Sequence, residues 1–266
     1  MEIPVNSWFN AINIRHSRRA FTGESLPEDK LRHLETVTNE FKPFRGARAV
    51  VVRDPPDNVF KGAIGSYGKV RDAPHFVAFI GDIAVPEVQE VTGYLGEGII
   101  LEATSMDIQT CWVGGFFRPS VVENIIELQQ SEKVLAITPI GYGQERKNRV
   151  EKAFSQVTRS RKRKPIESLL LDVPNSYPEW IKSALSAARL SPSAANRQPW
   201  RFLVGNEFIT IRTDDSNEGR WVSKRLDCGI AMIHIELGAR MKGVEGKWQF
   251  LTKPDVARYN IPNSEF

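Results

Sequence analysis

Two long apolar segments of the chain, residues 93–112 and 229–248, align with each other without gaps. The identical pairs are Gly93 and Gly229, Ile99 and Ile235, Leu101 and Leu237, Ala103 and Ala239, and Trp112 and Trp248. Each segment is apolar on nearly every face, which is typical of a helix in the middle of a core. An aligned pair of central helices indicates an internal duplication, provided that the same order of elements surrounds both.

The predicted elements around the two segments do follow the same order. Ser25, Pro27 and two acidic residues predict the start of one helix, and the same Ser-x-Pro-Glu pattern opens a second helix at Ser176. Short β-branched and aromatic runs predict strands. The predicted helices are 7–13, 25–37, 93–112, 120–128, 176–190 and 229–248, and the predicted strands are 47–54, 75–82, 133–143, 199–205 and 208–214. We therefore expect an α+β fold of two similar halves, residues 1–165 and 166–266, with antiparallel-type sheets and buried central helices.

The basic character of the chain is local. The formal charge is +4, but "RSRKRK" at 159–164 supplies five positive charges, and removing them takes the formal charge to −1. A local patch fits a small anionic ligand, an acidic partner or solubility alone, so we expect no nucleic-acid partner.

Cysteine content and hydropathy indicate which cellular compartment suits the chain. The two cysteines, Cys111 and Cys228, lie far apart, and the four histidines form no ligand pair, so neither a disulfide framework nor a metal site is indicated. The opening residues lack the pattern of a secretory signal, and no apolar run approaches the ~20 residues that cross a bilayer. We expect a soluble, cytoplasmic protein without membrane contact.

Four short motifs could bind a ligand. In "RHSRRAF", Arg15, Ser17 and Arg19 project to one side of an extended segment, and two guanidinium groups with a hydroxyl suit a phosphate. The alternative is a solvated charged face. In "GSYGKVRD", Ser66 and Lys69 lie in a polar turn that could also be an ordinary loop.

The other two motifs are "WVGGF" and "SPSAANRQPWRF". Gly114 and Gly115 would let backbone N–H groups approach a ligand, or would simply end the preceding helix. In the second motif Ser193 and Asn196 favour a turn, and Pro199 forces the residue before it away from helical geometry. Its small residues could lie against a flat ligand or form only a helix-to-strand connection.

Together these motifs resemble the nitroreductase family of FMN-dependent oxidoreductases, across most of the chain. The family is typically a homodimer whose flavin site takes Arg-x-Ser-x-Arg from one subunit and the Pro-Ser segment from the other. Here the first half has "RHSRRAF" without a Pro-Ser segment, and the second half has "SPSAANRQPWRF" without Arg-x-Ser-x-Arg. The resemblance therefore implies a fused pseudo-dimer of the tandem subgroup, with one composite flavin site, which could be monomeric.

The resemblance also assigns roles to residues. It implies that the "RHSRR" segment binds the phosphate and ribityl chain, that the turn at 65–69 faces the pyrimidine edge, that "WVGG" brings N–H groups to the electron-carrying edge, and that the Pro-Ser segment covers the flavin. The resemblance also implies that the basic segment around Arg161 and Arg163 makes a further contact with the phosphate. The implied cofactor-binding residues are Arg15, His16, Ser17, Arg19, Ser66, Lys69, Val113, Gly114, Gly115, Arg161, Arg163, Pro192, Ser193, Ala194 and Asn196. No side chain is nominated as a catalytic acid or base, since the cofactor carries the redox chemistry.

Several functions fit these implications. The first is NAD(P)H-driven reduction of a nitroaromatic, quinone-like or other small organic acceptor. A different flavin chemistry on the same fold, such as dehalogenation or flavin fragmentation, is an alternative. So is a flavin-binding module with little or no turnover, and nucleic-acid binding through "RSRKRK" is the weakest of the alternatives.

Overall fold

The computed structural model describes residues 1–56, 58–60, 70–115, 117–144, 162–173, 176–215, 217, 219 and 222–262. It confirms the predicted α+β class, because helices pack against two separate four-stranded antiparallel sheets. The helices are α1 (Val5–Ile14), α2 (Glu28–Glu40), α3 (Val88–Ser105), α4 (Pro119–Glu123), α5 (Glu179–Arg189) and α6 (Lys224–Arg240), with short 3-10 turns at Ile166–Ser168 and Ala194–Asn196. The strands are β1 (Ala47–Arg53), β2 (His75–Asp82), β3 (Gln109–Thr110), β4 (Glu132–Gly141), β5 (Trp200–Gly205), β6 (Phe208–Thr213), β7 (Lys247–Phe250) and β8 (Asp255–Asn260).

The two sheets are built in the same way. One has the strand order β1-β2-β4-β3 and the other has β5-β6-β8-β7. Both contain one irregularity in the register of their central pair, between Phe79 and Ile80 in β2 and between Ile211 and Arg212 in β6. One sheet lies on each side of the predicted boundary at residue 165, and the exact position of that boundary stays a prediction.

The central helices α3 and α6 are buried on nearly all sides and pack against each other, as their apolar composition predicts. Their predicted bounds were wrong in the same way. Each helix begins five residues before the aligned segment, at Val88 and at Lys224, and ends before its last residues. Those last residues lie in or near the edge strands β3 and β7, where Trp112 follows one strand and Trp248 lies within the other. Apolarity on every face fixes that a helix is buried, but it provides no signal for where the helix ends.

Three other local predictions need correction. Ser25 does not cap α2: Pro27 precedes the helix, and the Ser25 hydroxyl lies 3.0 Å from Nε2 of His75. The helix predicted at 120–128 is limited to Pro119–Glu123. Gly114 and Gly115 cannot end the central helix, which finishes at Ser105. Strand β8 was not predicted at all, although it is the central partner of β6 and β7.

The described residues include neither a membrane-spanning helix nor a cluster of metal-binding side chains. Among the described helices, none is both long enough and apolar enough to cross a membrane. In the same residues, no group of three or more histidine, cysteine and acidic side chains could hold a metal ion.

Candidate flavin site

The "RHSRR" segment leaves the end of α1 as an extended chain and runs beside β3. Ser17 forms a parallel bridge with Thr110, and the amide N–H of Arg18 donates to the Thr110 carbonyl at 2.8 Å. The segment is therefore extended, which is the conformation in which Arg15, Ser17 and Arg19 are expected to project to one side. All three of these residues are partly buried, so the segment is not a freely solvated charged face.

Arg15 is a cation of this segment whose side chain is almost completely enclosed. Its side chain is only 6% exposed, and its nearest acidic atom is Oε1 of Glu97, 3.7 Å from the guanidinium Nε. The Nε and Nη1 atoms are buried without a hydrogen-bond acceptor. A buried guanidinium with unmet N–H groups is costly unless an acceptor reaches it, which makes Arg15 a suitable ligand for an anion.

Arg163 connects this cation to the second half of the chain. Its Nη1 donates to Oδ1 of Asn196 at 3.1 Å, and its Nη2 donates to the carbonyl of Leu190 at 3.2 Å. Burial, followed by the charges of Arg15 and Arg189, lowers the pKa of Arg163 to about 10. Mutual repulsion of this kind means that the three guanidinium groups share one region, where an added anion would be stabilised.

The segment at 193–198 has an unusual backbone. Ala195, Asn196 and Gln198 all adopt positive φ, at 50°, 55° and 49°, and left-handed conformations of residues other than glycine cost on the order of 1–3 kcal/mol each. Pro199 does exclude the right-handed helix for Gln198, as predicted. Such strain persists only where surrounding contacts fix it, and it is concentrated at functional sites.

Several side chains hold this strained segment in place. The hydroxyl of Ser193 accepts from the amide of Gln198 at 2.9 Å, and Oε1 of Gln198 accepts from the amide of Lys164 at 2.8 Å. The Asn196 amide group donates to the carbonyl of Lys162 at 2.9 Å. The end of the first half and the strained segment therefore form one hydrogen-bonded unit.

Asp227, on the first turns of α6, forms hydrogen bonds with the same segment. Its carboxylate accepts from the amide of Ala194 at 3.1 Å and from Nε of Arg197 at 2.7 Å. Burial raises the pKa of Asp227 to about 6, although the Arg197 charge acts in the opposite direction.

The "WVGG" segment reaches the second half near Asp227. Val113 bridges to Ile137, with both backbone hydrogen bonds at 2.9 Å, so the segment continues the edge of the first sheet. A methyl group added to Gly114 would lie 2.8 Å from the side chain of Val222. The Val222 carbonyl in turn accepts from Arg197 at 2.9 Å, which links the two segments.

The predicted residues fall into three groups. Arg15, Arg163 and Asn196 are brought together, and Gly114 lies against Val222, whose carbonyl accepts from Arg197 of the strained segment. His16 lies at the surface, with its Nδ1 3.0 Å from the carbonyl of Ile14. Ser66, Lys69 and Arg161 lie outside the described residues.

A cavity of about 290 Å³ adjoins Arg15 and His16. Its other lining residues are Ile14, Thr104, Asp107, Ile108, Gln109 and Thr110. All of these belong to the first half, so this cavity does not include the Pro-Ser segment.

Sequence reasoning missed four residues that organise the site: Glu97, Asp227, His234 and Arg197. Glu97 and His234 are both fully buried and lie 3.0 Å apart, Oε1 to Nε2. A signal for both was present, because each is a titratable residue on a central helix that is buried on nearly all sides. Asp227 and Arg197 pair between distant parts of the chain, and no local pattern announces such a pair.

Comparisons with known proteins agree with this architecture. The model of a family described as "Putative TM nitroreductase" matches residues 7–239. A solved structure from Thermotoga maritima, described as a "putative nitroreductase", has a TM-score of 0.65 at 23% identity, covering 96% of this chain and 93% of its own. At this level of identity, the similarity establishes that the two proteins share a fold.

Two further solved structures have lower TM-scores. A nitroreductase family protein from Clostridium difficile 630 has a TM-score of 0.46 at 18% identity, covering 64% of this chain and 98% of its own. A nitroreductase with bound FMN from Bacteroides fragilis has a TM-score of 0.43 at 18% identity, covering 53% of this chain and 90% of its own. No curated protein sequence gave a significant match.

The matched family model spans most of the chain, and the two four-stranded antiparallel sheets with buried central helices are those of a nitroreductase-like structure. The chain therefore belongs to the family described as "Putative TM nitroreductase".

Proposed function

We propose that this protein is an FMN-dependent oxidoreductase that uses NAD(P)H to reduce a small organic acceptor, of the nitroaromatic or quinone type. The observation that carries the proposal is the convergence of Arg15 and Arg163, from the first half, with Asn196 of the second half. A single composite flavin site would lie between the two halves.

The residues present fit the phosphate of FMN. That group is close to a dianion, and arginine binds it through forked, charge-assisted hydrogen bonds. Arg15 has two buried N–H groups without an acceptor. Burial, followed by repulsion from Arg15 and Arg189, lowers the pKa of Arg163, and an anion would offset both effects. Ser17 and Arg19 would add the hydroxyl and second guanidinium of the same segment, with His16 beside them.

The other assignments follow from the same arrangement. Val113, Gly114 and Gly115 would present backbone N–H groups, because glycine allows a close approach of the main chain. The strained segment would cover the cofactor through Pro192, Ser193, Ala194 and Asn196, held in one conformation by Asp227. Ser66 and Lys69 at the pyrimidine edge, and Arg161 at the phosphate, belong to the proposal as well.

The two halves would be the fused descendants of two subunits. Identical strand orders and matching register irregularities support this. The connection before the first strand is shorter in the first half, at 41–46, than in the second, at 190–199. The shorter connection is the one without the Pro-Ser segment, so the chain could be monomeric with one site.

The position equivalent to Gly114 supports a single site. In the first half, β3 and Val113 pair with β4 in one continuous register, and in the second half β7 pairs with β8 in the equivalent register. Matching the two registers places Phe250 where the first half has Gly114. The Phe250 ring packs edge-to-face on Phe44 at 5.1 Å. Aromatic side chains would therefore fill the place where a symmetry-related flavin would lie.

When bound, FMN would supply the electron transfer between NAD(P)H and the acceptor. The protein would hold its phosphate with arginines, fix its ring between the glycine segment and the strained segment, and offer N–H groups to its polar edge. A preorganised site of this kind needs no nucleophile from the protein.

The visible spectrum of the purified chain tests the proposal most directly, with the flavin counted per chain. One FMN per chain, bleached anaerobically by NADH or NADPH, is the expected result. Failure to take up FMN would contradict the proposal, and two flavins per chain would contradict the single site. Bound flavin that neither nicotinamide reduces would instead favour a binding module or a different flavin chemistry.

A further inference from the structure

Glu97 lies beside Arg15, yet its two carboxylate oxygens bind other groups. Oε1 lies 3.0 Å from Nε2 of His234, and Oε2 accepts from the indole N–H of Trp112 at 2.7 Å. The Nε atom of Arg15 is 3.7 Å from Oε1, beyond hydrogen-bond distance. A buried carboxylate would ordinarily form a direct pair with the nearest guanidinium, so this separation requires a cause.

The cause is the hydrogen bonding of His234. Its Nδ1 lies 2.9 Å from the carbonyl oxygen of Ala187, which can only accept, so Nδ1 carries a proton. Nε2 and the Glu97 carboxylate then share one further proton, whichever of the two atoms holds it. Because this shared proton offsets the charge of the carboxylate, Arg15 keeps only a long ion pair with Glu97, at 3.7 Å, and forms no hydrogen bond with it.

The guanidinium of Arg15 consequently stays available to bind an anion. Its side chain is 6% exposed, while those of Glu97 and His234 are completely buried. Two of its nitrogens are buried without an acceptor. A buried N–H group without an acceptor is costly, so an acceptor that reaches these nitrogens would be stabilised there.

We propose that His234 and Trp112 are positioning residues that keep the Glu97 carboxylate away from Arg15, so that this guanidinium is reserved for the cofactor phosphate. The inference rests on the proposed function, and it adds a device within the core that sets the strength of phosphate binding. His234 lies on α6 and Glu97 on α3, so the device also requires the two halves to be correctly packed.

The test compares FMN with riboflavin, which lacks the phosphate. His234→Leu removes the hydrogen-bond partner of Oε1, and the Ala187 carbonyl keeps its bond from the amide of Leu190 at 3.0 Å. Glu97 would then bind Arg15, and the ratio of riboflavin to FMN dissociation constants should fall by about tenfold or more, as expected for a lost charged hydrogen bond. Trp112→Phe frees Oε2 and should lower the ratio in the same direction, which keeps the test decisive if the His234 variant does not fold.

Adding Glu97→Gln to either variant provides the critical step. An amide has no charge with which to hold Arg15, so the second substitution should restore the preference for FMN. A residue that only supports the fold would give a double variant worse than the single one, because its defects would accumulate.

The chain contains a matched control in its second half. Glu236 accepts from Tyr94 at 2.7 Å and from the indole N–H of Trp248 at 2.9 Å. Trp248→Phe and Glu236→Gln should lower stability without changing the ratio of the two constants. An unchanged ratio in the His234 and Trp112 variants, or no restoration by Glu97→Gln, overturns the inference. A wild-type chain that binds no FMN would contradict the proposed function itself.

Discussion

Gly93 and Gly229 make reciprocal contacts where the two central helices cross. A methyl group added to Gly93 would lie 2.1 Å from the carbonyl oxygen of Leu226, and one added to Gly229 would lie 2.1 Å from the carbonyl oxygen of Glu90. Each glycine therefore packs directly against the backbone of the opposite helix, and the two contacts mirror each other. Neither helix can move aside without displacing the sheet that it covers.

Gly93→Ala and Gly229→Ala should therefore be equally destabilising. Because the clash is with main-chain atoms, we expect each to lower the free energy of unfolding by about 3 kcal/mol or more, at or above the upper end for overpacked cores. Urea denaturation followed by circular dichroism measures this. Ser186→Ala, on the exposed face of α5, should change stability by less than about 0.5 kcal/mol. A large difference between the two glycine variants would contradict the reciprocal packing.

Asp227 should make stability depend on pH. Burial raises its pKa from 3.8 to about 6 in the folded chain, so the folded state binds the proton more tightly than the unfolded state. Protonated Asp227 therefore stabilises the folded state below about pH 4, and this stabilisation is lost as pH rises through 6. A pKa shift of about two units corresponds to roughly 3 kcal/mol in the free energy of unfolding.

Asp227→Asn removes this titration while keeping an oxygen that can accept from Ala194. The difference in unfolding free energy between wild type and variant should therefore change between pH 4 and pH 6 and stay constant from pH 7 to 8. Urea midpoints at half-unit intervals measure it. Parallel pH profiles for the two proteins would show that Asp227 does not titrate in this range.

The order of the elements could be predicted from the sequence because hydrophobic periodicity reports burial. The helix containing Leu31, Leu34 and Val37 has the expected buried stripe, and the strands at 75–82 and 200–205 lie where their β-branched and aromatic runs predict. The end of a fully buried helix carries no such signal, so Ser105 and Arg240 were missed as helix ends. Strand β8 was missed because its alternation includes charged residues, such as Arg258.

The candidate site was only partly predictable for a different reason. Arg15 and Asn196 belong to recognisable local motifs, so both could be proposed from sequence. The pairing of Glu97 with His234, and of Arg197 with Asp227, depends on the packing of distant segments. Only the folded chain brings these partners together.

Glycine should be more favourable than alanine at position 195. The φ of Ala195, at 50°, lies in the left-handed region, its side chain is exposed, and a residue with a Cβ pays roughly 1 kcal/mol there. Ala195→Gly should therefore raise the free energy of unfolding by up to about 1 kcal/mol, less the added flexibility of the unfolded chain. Ser186→Gly, in the regular helix α5, should lower it, which gives a control of opposite sign. Destabilisation by Ala195→Gly in a thermal melt would show that the segment is not strained.

The contrast between Gly114 and Phe250 gives the sharpest test of one site per chain. A methyl group on Gly114 would lie 2.8 Å from Val222 and would push the glycine segment away from the second half, so Gly114→Ala should weaken FMN binding by about tenfold, the loss of one good hydrogen bond. Phe250→Ala instead removes a ring that packs on Phe44, and should cost about 2–3 kcal/mol of stability because the side chain is only partly buried.

The two effects should separate cleanly when FMN affinity and unfolding free energy are both measured. Adding Val222→Ala should recover part of the affinity lost in Gly114→Ala, because the clash is with that side chain. Phe250→Ala should leave FMN affinity within about twofold of wild type, since substitutions distant from a site act independently of it. If Phe250→Ala weakened FMN binding as much as Gly114→Ala, the two positions would serve the same cofactor, and the halves would not differ in the way that a single composite site requires.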